Sequence, residues 1–183
     1  KNLIDYAAFT IAFPQLTMGP ILRYREWRGA LKERTITRED VFSGFELFVV
    51  GLCFKVLLAD QLAPLWASLE RSGYEYLSTP LEWLGAVSYS LQLYFDFSGY
   101  SLMAMGLGQM LALPVPRNFD LPYTARSVSE FYRRWHITLG TWFRDYVYIP
   151  LGGSRNGNAR TVLSLTVVWF FIGLSPGSSR NFV

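Results

Sequence analysis

The chain has 183 residues, of which 51% are apolar and 17% charged, and its formal net charge is +3. The charged fraction lies below the roughly 25% that is typical of soluble domains, which argues against an ordinary soluble protein. The positive residues alternate with apolar stretches and form no continuous basic stripe, so the composition also excludes a nucleic-acid-binding protein.

The first apolar stretch is Tyr6–Leu22, and it is interrupted by Pro14, Gly19 and Pro20. Each proline removes a backbone hydrogen-bond donor, which predicts an irregular or re-entrant element. A polar stretch follows over Arg23–Asp40, with six basic and four acidic residues.

The next element is an apolar helix that we expect to begin after Thr37 and to end near Ala59. Asp40 lies three residues after Thr37, a spacing that predicts a capping box at the start of the helix. Glu46 and Lys55 lie within its apolar length, nine positions apart and on opposite faces, so they cannot pair with each other.

Asp60–Pro80 is predicted to be a loop or interfacial segment with net negative charge. The longest apolar stretch then runs from Glu82 to about Leu113 and predicts one long helix or two short ones. Three glycines in it allow either close helix packing or a break: Gly99, Gly106 and Gly108.

Basic character returns over Arg117–Arg160, with seven arginines against three acids, and an apolar helix is predicted over Thr161–Leu174. The positive-inside rule places Arg23–Asp40 and this second basic stretch in the cytoplasm and Asp60–Pro80 outside. We therefore predict an all-α, multi-pass transmembrane bundle with interfacial and re-entrant helices. Because the chain begins with Lys1, it is interpreted as an internal piece of a longer protein.

The second basic stretch contains His136, the one histidine of the chain, among arginines and aromatic residues. Ser127 and Glu130 have capping-box spacing, which predicts a helix that begins at Ser127. Along that helix six apolar residues recur at steps of three and four and form one stripe: Val128, Phe131, Trp135, Leu139, Trp142 and Tyr146. His136 lies at the border of the stripe, as in a helix at a membrane interface.

An imidazole at this border has two interpretations. Histidine titrates near pH 6.5, so His136 could pass protons in a polar cavity. The other interpretation is a structural histidine bonded to a backbone carbonyl, and the periodicity alone favours that structural role. Arg133 and Arg134 likewise have a lipid-anchoring interpretation that the sequence favours over ligand binding.

Asp96 is the one residue between Trp83 and Pro116 that carries charge at neutral pH. Inserting an aspartate at mid-membrane costs about 2.5 to 3.5 kcal/mol, which makes Asp96 a candidate functional residue. An ion pair with a lysine or arginine of another helix is an equally good interpretation.

Five blocks, in order along the chain, resemble the membrane-bound O-acyltransferases, in particular the bacterial branch that acetylates alginate. The D-alanyl transfer proteins of teichoic acid synthesis are more distant relatives. The blocks cover nearly the whole chain: Phe13–Tyr24, Gly51–Asp60, Tyr94–Gly108, Asn118–Tyr123 and Ser127–Gly153. The resemblance implies that residues 1–183 are the central part of one membrane domain, whose helices surround a funnel that narrows at mid-membrane.

The resemblance implies transfer of an acyl group, acetyl here, from a thioester to hydroxyls of an exported polysaccharide such as alginate. The histidine of the R-R-W-H motif, His136, would be one of two characteristic histidines. The donor would be acetyl-coenzyme A or an acyl carrier, with no bound cofactor or metal. Five residues are candidates for contacting donor or substrate: Arg133, Arg134, Trp135, Arg144 and Asp96.

The resemblance also implies a location in the bacterial inner membrane. The expected partners are the lipid bilayer, a periplasmic acetyltransferase or export machinery, and the polysaccharide, with no nucleic acid.

The chain departs from the family at the second histidine, which lies in a G-L-W-H-G-A-x-W-N-F motif. Here the stretch from Gly173 to Phe182 reads G-L-S-P-G-S-S-R-N-F, so Pro176 stands at the histidine position. Proline has no basic side chain, whereas a positioned general base contributes about 10²- to 10⁴-fold. This chain is therefore expected to be inactive. Single-base changes account for the four replacements, which favours a degraded or misread gene end.

Two other functions are compatible with the sequence. The Ser175–Pro176 departure favours a non-catalytic membrane scaffold for polysaccharide modification or export. Asp96 and the proline-interrupted first segment are features of transporters, although the paired broken helices of many transporters are not found in the sequence.

Overall fold

The structure is a computed structural model, and it describes residues 3–12, 18–73, 76–155 and 157–174. All regular secondary structure in these residues is helical, which confirms the all-α prediction. Eight α-helices are described: α1 Leu3–Thr10, α2 Tyr24–Glu33, α3 Arg38–Cys53, α4 Asp60–Ser72, α5 Thr79–Met110, α6 Val128–Arg134, α7 Ile137–Phe143 and α8 Asn158–Leu174.

Helices α3 and α4 are joined without a break by a π-helical segment, Phe54–Ala59. The predicted capping box is confirmed at the start of α3, where the Thr37 side chain accepts a hydrogen bond from the Asp40 amide and the Asp40 carboxylate accepts one from the Thr37 amide. Over Arg38–Ser72 this continuous helix is long and apolar enough to cross a membrane, and it is the only such helix in the described part of the chain.

The prediction of a loop from Asp60 is wrong, because α4 continues the helix to Ser72. The Asp60 carboxylate lies 2.9 Å from the ammonium nitrogen of Lys55, five residues earlier along the π-helical segment. The polar residues that resemble the start of a loop are thus accommodated on a helical surface. The segment Asp60–Pro80, which the charge pattern placed on the non-cytoplasmic side, is therefore mostly helical.

Helix α5 is one unbroken helix of 32 residues that packs along α3, which confirms the single-helix alternative. Two glycine pairs bring the backbones together, Gly44 against Gly106 and Gly51 against Gly99. A Cβ atom on Gly51 would lie 2.6 Å from the carbonyl oxygen of Gly99, too close for any side chain. The members of the pairs are seven residues apart on each helix and run in opposite order, so α3 and α5 are antiparallel.

The first apolar stretch is only partly irregular. It contains the end of α1, which runs from Leu3 to Thr10, so the prediction of an irregular element from Tyr6 is wrong over these residues. Phe9 packs edge-on against Tyr24 and Trp27 of α2, so the end of α1 lies against α2. Pro14 lies outside the described residues, and residues 18–22 are not helical.

Candidate functional site

The helix that was predicted from Ser127, with its stripe reaching Tyr146, breaks at His136, so that prediction is wrong. Its start is confirmed, since the Ser127 hydroxyl accepts a hydrogen bond from the Glu130 amide at 3.1 Å. Helix α6 ends at Arg134, and His136 adopts the left-handed conformation with φ 45° and ψ 55° before α7 begins. A residue in the left-handed conformation interrupts a right-handed helix, and this conformation is strained for any residue other than glycine.

The segment from Asn118 to Asp120 causes the break because it takes the hydrogen bonds that a continuous helix would need. The Asp120 amide donates to the carbonyl of Arg134 at 2.9 Å, and the Ile137 amide donates to the carbonyl of Asn118 at 2.9 Å. The Thr138 amide donates to the Asn118 side chain at 3.3 Å. These three bonds replace contacts within the helix, and satisfied backbone groups compensate for the strained conformation of His136.

Because of this break, the predicted single aromatic stripe is two separate groups of rings. Trp142 packs against Phe143 and Tyr146 beyond the break. The other group surrounds Trp135, whose ring centroid lies 5.1 to 6.4 Å from those of five aromatic residues: Tyr94, Phe97, Phe119, Tyr123 and Phe131. Trp135 is thus a packing residue in a ring cluster between α5 and α6, and its contact with substrate stays a prediction.

Asn118 is the centre of a buried polar network at the break. Its side chain is completely buried. Its Nδ2 donates to the Ser101 hydroxyl on α5 at 3.2 Å, and its Oδ1 lies 2.9 Å from the Thr138 hydroxyl on α7. The Thr138 hydroxyl also accepts from the Ile21 amide at 3.0 Å. Three parts of the chain therefore meet at one amide group.

The imidazole of His136 belongs to the same network. Its Nδ1 lies 2.9 Å from the Oδ1 of Asn118, and its ring meets the ring of Phe97 edge-on at 4.8 Å between centroids. Burial lowers the pKa of His136 to about 4, because removal from water disfavours the charged imidazolium. The imidazole is therefore neutral at pH 7, and its partner is the Asn118 side chain and not the backbone carbonyl of the structural interpretation.

The three candidate arginines near His136 have different surroundings. Arg133 is exposed on α6. Arg134 donates to the Glu130 carboxylate at 2.6 Å and to the Thr124 hydroxyl at 2.9 Å, so it fastens α6 to the preceding turn. Arg144 is exposed and bonds to Asp145 at 2.8 Å. Hydrogen bonds from Arg144 and Arg23 lower the pKa of Asp145, which holds the carboxylate ionised.

Asp96 has the partner that the ion-pair interpretation required. Its carboxylate lies 2.6 Å from the ammonium nitrogen of Lys55, which also bonds to Asp60. Lys55 thus bridges two carboxylates near the middle of Arg38–Ser72. This pairing accounts for Asp96 structurally, and its contact with donor or substrate stays a prediction. The residues Ser175 and Pro176 lie outside the described part of the chain.

The sequence did not single out Asn118, Ser101 or Thr138, although the structure places them around His136. Asn118 does begin the N-F-D-L-P-Y block, which follows Pro116 and contains Pro122. A polar residue at the start of a short non-helical segment between prolines is a signal for a side chain that caps a neighbouring element. That signal could have identified Asn118, but not its partner eighteen residues away.

Comparison with known proteins assigns the class. Residues 1–175 match the membrane-bound O-acyltransferase family, and the chain belongs to this family. It is 44% identical over 186 residues to a probable alginate O-acetylase, AlgI, of Azotobacter vinelandii and 43% identical over 183 residues to that of Pseudomonas fluorescens. It is 37% identical over 186 residues to a peptidoglycan O-acetyltransferase of Helicobacter pylori.

Each of these alignments covers the whole of this chain and 36%, 37% and 35% of the three relatives, respectively. The chain therefore spans about a third of the length of the curated relatives that it matches. The R-R-W-H segment with His136 lies within the part that matches the family.

Proposed function

We propose that the full-length product of this gene is a membrane-embedded O-acyltransferase. In this proposal it moves an acetyl group from a thioester to hydroxyls of an exported polysaccharide such as alginate. The observation that carries the proposal is similarity along the whole chain, at 37% to 44% identity, to relatives named as O-acetylating enzymes of polysaccharides. The names of the relatives differ in the polymer and share the O-acetyl transfer.

The chemistry requires removal of a proton from the hydroxyl as its oxygen attacks the thioester carbonyl and the thiolate leaves. We propose that His136 is placed at this reaction centre. A half-buried, neutral imidazole has a lone pair for the hydroxyl hydrogen, which a protonated one would lack. Exposed Arg133 and Arg144 are proposed to contact an anionic donor such as acetyl-coenzyme A or an acyl carrier, since guanidinium groups bind phosphate in a bidentate manner.

The proposed setting is the bacterial inner membrane, with several spans, and residues 1–183 as the central part of one membrane domain. Support comes from the membrane-length helix Arg38–Ser72 and from its antiparallel partner α5. The many exposed apolar side chains of both helices, such as Phe42, Leu57 and Trp83, fit contact with lipid. The proposed partners are the polysaccharide and periplasmic or export proteins.

A second candidate function is a non-catalytic scaffold in the same membrane. It is favoured by Pro176, which stands where the family has its second histidine. Under either function the chain as given is expected to transfer no acyl group, because the second imidazole is missing.

The test compares two forms of the gene in a host that exports the polysaccharide and lacks its own O-acetylating membrane protein. One form is unchanged. The other, here called the restored chain, carries Ser175→Trp, Pro176→His, Ser178→Ala and Arg180→Trp. We expect at least 100-fold more ester-linked acetate on polymer from the restored chain, within the range of general-base catalysis. Full acetylation by the unchanged chain would contradict its inactivity. Background acetylation by both, at equal membrane abundance, would support the scaffold.

A further inference from the structure

The amide of Asn118 has one possible orientation, which its partners define. The backbone N–H of Thr138 can only donate a hydrogen bond, and it points at the Oδ1 of Asn118 from 3.3 Å. The atom that faces it must therefore be the carbonyl oxygen and not the NH₂ group. The NH₂ group then faces the Ser101 hydroxyl at 3.2 Å, where it donates.

The Thr138 hydroxyl is compatible with this orientation. Its oxygen accepts a hydrogen bond from the Ile21 amide at 3.0 Å. Its own hydrogen can then be donated to the Asn118 Oδ1, at 2.9 Å. The backbone N–H of Thr138, which can only donate, is the group that identifies this atom of Asn118 as an acceptor.

This acceptor decides the state of the histidine. The Nδ1 of His136 lies 2.9 Å from the Oδ1 of Asn118, and a carbonyl oxygen has no hydrogen to offer. The hydrogen of this bond must come from Nδ1. A neutral imidazole carries one N–H hydrogen, so its other nitrogen, Nε2, carries the lone pair.

The direction of the ring is fixed as well as its tautomer. The left-handed backbone of His136 and the edge-on contact with Phe97 hold the imidazole in place. Within the described part of the chain the ring bonds to Asn118 and packs against Phe97, and neither of these side chains ionises. Ser101 on α5 and the bond from Ile21 to Thr138 brace Asn118 from two further parts of the chain.

We propose that Asn118 is the positioning residue of this site, and that it holds His136 in the tautomer with hydrogen on Nδ1 and the lone pair on Nε2. The assignment of that lone pair to the acceptor hydroxyl of the substrate rests on the proposed function. There Nε2 accepts the hydrogen bond of the sugar hydroxyl and orients its oxygen towards the thioester carbonyl. Asn118 itself does not contact the substrate.

The tautomer is tested without any activity, by nitrogen NMR of the full-length product labelled at histidine and placed in lipid bilayers. His136→Gln identifies the signals of His136. We expect a protonated Nδ1 and an unprotonated Nε2 in the parent, and Asn118→Leu is expected to lose this pattern. Gln109→Leu is the control, because it removes a polar contact of α5 with Ser43 that is separate from the Asn118 network. Hydrogen on Nε2 in the parent, or an unchanged pattern in folded Asn118→Leu, would overturn the proposal.

Asn118→Asp covers the case in which Asn118→Leu does not fold. A carboxylate still accepts from Nδ1–H, so the tautomer is retained, and its negative charge raises the pKa of His136. In the restored chain, we expect the ionisation of His136 to cause no change in kcat/KM with pH above about pH 5. In Asn118→Asp it should fall tenfold per pH unit below the new, higher pKa.

An unshifted pH profile in Asn118→Asp would contradict a contact between Asn118 and the titrating imidazole, because a purely structural defect lowers the rate equally at every pH. If the restored chain transfers no acetyl group at all, the proposed function fails. The NMR pattern still decides the claim about Asn118 in that case, so the two failures are distinguishable.

Discussion

Replacement of His136 by alanine in the restored chain is expected to lower O-acetylation of the polymer at least 100-fold. A loss of this size corresponds to about 2.7 kcal/mol of transition-state stabilisation. It lies in the range that is typical of removing one group that accepts or donates a proton in the transition state. The reason is that the half-buried imidazole is neutral and is held by Asn118, which leaves a fixed lone pair for the hydroxyl hydrogen, whereas alanine has none.

The measurement is ester-linked acetate on exported polymer, divided by the amount of protein in the membrane. Val128→Ala is the control, because it also shortens a side chain to alanine on the same segment, at an exposed residue at the start of α6. Both variants should reach the membrane at the level of the restored chain. Full acetylation by His136→Ala would remove His136 from the mechanism and leave it a structural residue.

Substitution of Gly51 by valine is expected to destabilise the pairing of α3 with α5 by at least 2 kcal/mol, roughly the middle of the range for overpacked sites. The first carbon of any side chain would lie 2.6 Å from the carbonyl oxygen of Gly99 and 2.7 Å from the amide nitrogen of Met103. Both are backbone atoms of α5 and cannot rotate away, so the helices must separate along their length.

The check is the thermal midpoint of the full-length product in detergent, followed by loss of the monodisperse peak on size-exclusion chromatography. Gly29→Ala is the control, since nothing lies within 4 Å of a Cβ atom there. An alanine in place of a helical glycine stabilises by about 0.4 to 1 kcal/mol. Equal midpoints for Gly51→Val and the parent would contradict the close approach of the two helices.

Local signals in the sequence predicted the helix starts correctly. The capping side chain of Thr37 and its partner Asp40 lie within one turn, so nothing distant alters their geometry. Ser127 caps α6 for the same reason. Gly99 and Gly106 of α5 were open to two interpretations, and only the facing glycines of α3 show that they serve close packing.

The prediction of one helix through His136 is wrong because of tertiary hydrogen bonds. The spacing of three and four residues between apolar side chains continues across the break, because the aromatic rings on each side of it pack against other rings. The break itself depends on Asn118 and Asp120, which lie 14 to 20 positions earlier than the residues that they bond. Periodicity contains no information about such a partner. The same holds for Lys55, whose bond to Asp96 joins two helices.

The interpretation of His136 differs between sequence and structure for a similar reason. Read as a border residue of a straight helix, it resembled an interfacial structural histidine. The structure instead places it in a left-handed turn, bonded to a fully buried amide. A buried hydrogen-bond network around one neutral imidazole can form part of an acyl-transfer site. The family membership favours this interpretation over a purely structural one.

We propose that this chain is part of a membrane enzyme that moves an acetyl group from a thioester to a polysaccharide. The most direct test of this claim is the transfer of radiolabelled acetyl groups to polymer in membrane vesicles that contain the restored chain. Acetyl-coenzyme A and acetylated acyl carrier protein are supplied in parallel. We predict alkali-labile label on the polymer with at least one donor, and background label in vesicles without the protein. Background label with both donors, at verified membrane abundance of the restored chain, would contradict the claim.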